Sequence, residues 1–145
     1  MDKNADFYIR EYRKAKADSI WAEEHRPRLI EVGERITGSY ENIDIDKAFE
    51  ALSSRRMPEK DRNILKNYVR ARVIMDVVET AVRERLEANL DAAADVFLGG
   101  MMVRDVAAKH HISEKTVWRI KQRGLEAIKD ELLLKGKIGS QAFMS

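Results

Sequence analysis

Lys115, Trp118, Arg119 and Gln122 are the side chains of this 145-residue chain best suited to recognition chemistry. On a helix advancing about 100° per residue they share one side, away from Val117, Ile120, Gly124 and the Ala127/Ile128 pair. An arginine can give guanine a bidentate hydrogen bond, and a glutamine can do the same for adenine. Trp118 stands at the edge of that face, and two readings stay open: it packs on a sugar or a thymine methyl, or it is core against the preceding helix. Ser113, Thr116, Lys121 and Arg123 lie on the flanks and suit phosphate contact, as do Arg104 and Lys109 from the preceding segment. Glu114 would repel phosphate or accept from cytosine N4, and its charge favours a helix N-terminus.

Such a face needs a helix held at a fixed angle, and the residues just before it supply one. Ala107 is followed five positions later by Ile112, five later again by Val117, and three later by Ile120. This is the spacing of a helix-turn-helix. A short helix carries Val103, Val106 and Ala107, the turn falls at His110-His111-Ile112, and Ser113 caps a second helix by accepting from a backbone N–H near Thr116. His111 sits where the turn must tighten, and histidine tolerates left-handed backbone better than most non-glycine residues. Gly124 is costly in a helix interior, by roughly 0.5–1 kcal/mol relative to alanine. Close approach of another helix, or a kink, would account for it.

The rest of the chain reads as helices. Phe7, Tyr8, Tyr12, Ala15, Ile20 and Trp21 recur at near-helical spacing between Asn4 and His25. Pro27 opens or kinks a further segment carrying Leu29, Ile30, Val32 and Ile36. Thr37 to Asn42 reads as a loop, and Asp44 or Asp46 can cap a short helix through Ala48, Phe49 and Leu52. Pro58 suits the first turn of a long helix whose apolar residues run from Ile64 to Leu86 and widen beyond one stripe. Asn89 or Asp91 caps a short helix over Ala92 to Leu98, which Gly99-Gly100 terminates. The helix from Ser113 reaches about Leu134, and residues 135–145 read as a frayed, flexible tail. The expected fold is all-α: a helical N-terminal region over 1–90 for self-association or partner contact, a helix-turn-helix domain over 91–134, and the tail. The long helix is the candidate dimer surface, with intramolecular core as the equal alternative.

Composition narrows the function classes. Charged residues make up 36% and hydrophobic ones 44%, and cysteine is absent, so disulfides and thiolate metal sites are excluded. No secretory leader or membrane-spanning run is read in the sequence, and the expected location is cytoplasmic. Net charge is +2 but unevenly spread: residues 101–145 carry an excess of four positive charges, whereas 1–60 and 61–100 each carry an excess of one negative charge. The positive end coincides with the helix-turn-helix, where a phosphate-binding surface is needed. An enzyme is not expected. There is no phosphate-cradling glycine loop, no cysteine nucleophile, no Ser/His/Asp set on a suitable scaffold and no metal-ligand spacing, so no cofactor or metal is assigned.

The run from Leu98 through Ile128, with its small-residue helix, Ile112-Ser113-Glu114-Lys115-Thr116-Val117 and Arg123-Gly124-Leu125, resembles the sigma-factor domain that reads the promoter −35 element. Quorum-type response regulators share much of this pattern. The whole-chain layout is similar to small phage and prophage regulators that switch on late genes. The resemblance implies a sequence-specific transcriptional regulator that binds double-stranded DNA and contacts RNA polymerase; because one recognition helix touches only a few base pairs, a homodimer or a partner is expected to supply the remaining specificity. Two other readings compete. Small terminase-like DNA-packaging subunits also join such a motif to helical oligomerisation segments, although theirs lies at the N-terminus. A helical protein-interaction module without DNA binding is the other.

Overall fold

The computed structural model describes residues 3–32 and 58–143, and every regular element among them is helical. In chain order these are α1 (Ala5–His25), α2 (Glu59–Arg85), a single 3-10 turn (Glu87–Asn89), α3 (Leu90–Phe97), α4 (Val103–His110) and α5 (Glu114–Ala142). Residues 27–32 add a short helical stretch after α1. The expected loop over Thr37 to Asn42 and the short helix after Asp44 lie outside the described residues.

α1 starts because the Asn4 side chain accepts from the Phe7 amide at 3.0 Å, satisfying one of the four donors a helix start leaves open. Its buried face is Ala5, Tyr8, Tyr12, Ala15, Ser19 and Ala22, spaced by three and four. Ile20 and Trp21 fall off that face and are exposed, so the apolar side read from the sequence is narrower than its residue types suggested.

Against this face lies α2, which starts directly after Pro58. Its apolar residues occupy more than half of the circumference. Leu65, Val69, Val77, Val78 and Ala81 are fully buried, with Val73, Ile74 and Val82 close behind. Such a helix is the centre of a bundle rather than its edge. α1 packs on one side of it and α5 on another, so the apolar stripe considered for a dimer is filled within the chain. Burying each valine or leucine here contributes roughly 1.5–3 kcal/mol. Burial, followed by the charge and hydrogen bond of Glu79 on α2, pushes the Tyr12 phenol up to about 12.

α2 is joined to α5 by charge as well as packing. Arg85 reaches Asp130 at 3.0 Å and the buried Glu131 at 3.3 Å, and Lys135 reaches Asp76 at 2.7 Å. Asn89 takes the cap position of α3 but its side chain makes no cap hydrogen bond. Gly100, at φ 66°, ends the connection after α3 as the glycine pair predicts.

The tail expected from residue 135 is corrected in part. α5 continues to Ala142 across a break at Gly136, whose φ of 61° and ψ of −134° belong to glycine alone. The break redirects the chain so that Ala142 and Phe143 are buried, with Phe143 edge-on to Tyr8 at 5.2 Å between ring centroids. One connected set of buried residues runs from Ala5 to Phe143 and crosses the boundary expected between residues 90 and 91.

Candidate nucleic-acid interface

α4 and α5 are joined by only three residues, His111 to Ser113. His111 takes the left-handed conformation at φ 54°, ψ 44°, which turns the chain sharply enough for the Ile112 amide to donate to the Ala107 carbonyl at 3.1 Å. Ser113 then starts α5. Its hydroxyl accepts from the Thr116 amide at 3.1 Å and lies 2.9 Å from the Thr116 hydroxyl. Val106, Ala107, Val117 and Ile120 fill the angle between the two helices and are buried. At Gly124 a Cβ would collide with the ring of Phe97, a fully buried residue of α3. The glycine is there for close approach, and α5 does not kink at it.

With the inner face of α5 occupied, the outer face is open. Lys115, Arg119, Gln122 and Arg123 are exposed. Trp118 is 57% exposed, which excludes the reading of it as core against the preceding helix. The row Lys115, Arg119, Gln122 continues one turn later into Glu126, also exposed. That carboxylate closes the polar-basic face at its C-terminal end, since it would repel a phosphate strand passing there.

The flanking cations differ in availability. The Arg104 side chain, on the first turn of α4, is 74% exposed, with its Nε 3.8 Å from the neighbouring Asp105 carboxylate. Lys109 is 2.9 Å from Asp95, and His110 Nε2 is 2.6 Å from the same carboxylate. The hydrogen bond with His110, reinforced by that with Lys109, holds the Asp95 carboxyl below the ordinary carboxylate range. Asp95 thereby pins the C-terminal end of α4 to α3. Lys121 is the most engaged: its Nζ is 2.8 Å from Asp6 on α1 and 4.7 Å above the Trp118 ring, with a side chain only 12% exposed. It reaches a phosphate only by leaving Asp6. Ser113 is exposed and Thr116 half-buried, so both hydroxyls serve the cap first.

Asp6, Asp95 and Phe97 are the residues sequence reading missed here. Asp6 lies 115 positions from Lys121 and no local pattern links them. Between α1 and the start of α5 runs an open groove lined by Ile9, Met101, Met102, Val103, Trp118 and Lys121. Among the described residues no group of three or more His, Asp or Glu side chains is placed to hold a metal ion, and no helix is long and apolar enough to cross a membrane. Set against known families, curated proteins and solved structures, the chain has no significant match.

Proposed function

We propose that this chain is a sequence-specific DNA-binding protein that regulates transcription, with α4 and α5 acting as a helix-turn-helix and α5 entering the major groove. One observation carries the reading. Lys115, Trp118, Arg119 and Gln122 form an exposed row on a helix whose opposite face is locked into the core. A helix fixed by its inner face while presenting bidentate donors outward meets the geometric demand of base readout. The bound Ser113 cap and the left-handed His111 support it by setting the angle between the two helices. In this reading Arg119 pairs with guanine and Gln122 with adenine, while Arg104 and Arg123 grip the backbone. The resemblance to sigma-type promoter readers and to small phage regulators adds a partner, RNA polymerase. A single reading helix spans few base pairs, so a homodimer or that partner supplies the remaining specificity.

The decisive experiment is selection of bound duplexes from a random pool by the purified protein, followed by sequencing. A recovered motif of a few base pairs, bound more weakly as salt rises, is the expected result. Arg119→Ala should then cost about 1–3 kcal/mol on the selected site and relax the preference at one base. Failure to enrich any sequence, with no duplex binding at low salt, would leave α5 as a protein-docking face instead.

A further inference from the structure

The N-terminal helix lies closer to this interface than its sequence position suggests. The Asp6–Lys121 ion pair at 2.8 Å fixes the first turn of α1 beside α5, and Ile9 lines the groove that Met102, Val103 and Trp118 share. One turn further, the Arg13 side chain lies across the connection entering α4. At Gly100, a Cβ would sit 2.8 Å from Arg13 Cδ and 3.3 Å from both Nε and Nη1. Gly100 therefore leaves room for an arginine lying flat on the backbone just ahead of α4. Arg10 follows Asp6 by four residues and precedes Arg13 by three, so all three share a side of α1, and both arginines are exposed. Among the described residues neither pairs with a carboxylate. Among the described residues the one acid on that strip, Asp6, is neutralised by Lys121. Arg13 thus puts a second cation beside the connection that leads to Arg104 on α4, and Arg10 stands one turn away from it on the same side of α1.

We infer that Arg10 and Arg13 of α1 form, with Arg104, a second cluster of contacts to the DNA phosphate backbone, so that α1 is part of the binding surface and not only its support. This rests on the DNA-binding reading above. In a helix-turn-helix the first helix crosses the backbone, and cations beside its N-terminal end meet the same strand. Contacts of that kind add affinity without base preference.

The test is the salt dependence of binding by the Arg10→Ala/Arg13→Ala variant, read by fluorescence anisotropy on a selected duplex and a scrambled one. Losing two phosphate contacts lowers the slope of log affinity against log salt by about 1.8, at roughly 0.9 per contact. Affinity for both duplexes should fall by the same factor, leaving the preference between them unchanged. Arg10→Lys/Arg13→Lys should restore the slope, and Arg72→Ala, which removes an exposed charge from α2, should leave it alone. A wild-type slope in the double alanine variant, with its fold intact by circular dichroism, would overturn the role of α1 while leaving α5 as the reader. Wild-type protein that binds neither duplex at low salt would overturn both.

Discussion

Gly124 and Asp6 show how single residues shape the proposed DNA-reading face without belonging to it. The Phe97 ring occupies the space a Cβ at Gly124 would need, and both sit where α3 supports α5. Gly124→Ala should lower stability by about 1–3 kcal/mol through overpacking, despite alanine's better helix propensity. Thermal denaturation would show it, and a rise in melting temperature would mean that Phe97 moves aside freely. Asp6 acts through charge. Asp6→Asn should release Lys121 and strengthen binding to every duplex alike, with the salt slope rising by about 0.9 for one new phosphate contact. An unchanged slope would place Lys121 permanently with Trp118 rather than with DNA.

Among the elements, the local ones were readable and the long-range ones were not. The turn between α4 and α5 is written within a dozen residues: a small residue at Ala107, a residue tolerant of left-handed backbone at His111, a hydroxyl cap at Ser113. Each acts on backbone close by, so spacing alone exposes it. The clamp on α4 is different. Asp95 stands fifteen residues before His110, on another helix, and nothing in its own neighbourhood marks it as the partner of Lys109 and His110. The folded protein lowers the Asp95 pKa, so the clamp is complete above the usual carboxylate range and is lost only as pH falls below it. Asp95→Asn should cost about 1 kcal/mol at neutral pH, within the range for partly exposed pairs. Urea titrations of the two proteins at pH 7 and near pH 3 would test this. The difference should shrink at the lower pH, and a constant difference would trace it to packing instead.

Over the whole molecule, the all-helical class followed from periodicity, but the manner of closure did not. The amphipathic pattern of α2 fitted a dimer face as well as a core, because periodicity states that a stripe is apolar and not what covers it. α1 and α5 cover it, α5 through the stretch before Gly136, and past that glycine the final turn comes back over Phe7 and Tyr8 of α1. A segment with two glycines and two lysines near its end carries every mark of fraying, and only the tertiary docking of Phe143 overrides them. Phe143→Ala should therefore destabilise the entire bundle by about 3 kcal/mol, as a buried aromatic truncation does. Calorimetry should show one transition moved to lower temperature. A melting temperature equal to that of the unaltered protein would show that the last turn contributes nothing to the core.

That docking also sets a timetable for synthesis. The Lys3 ammonium donates to the Phe143 carbonyl at 2.8 Å, bridging 140 positions of chain. A nascent polypeptide on the ribosome has made α1 long before the residue that seals it exists. Until Phe143 clears the exit tunnel, the aromatic pair at Phe7 and Tyr8 stays uncapped and α1 has no complete seat. The bundle consequently reaches its closed state only once Ala142 and Phe143 have been made, and a chain that stops short of them is one that chaperones and proteases treat as unfinished.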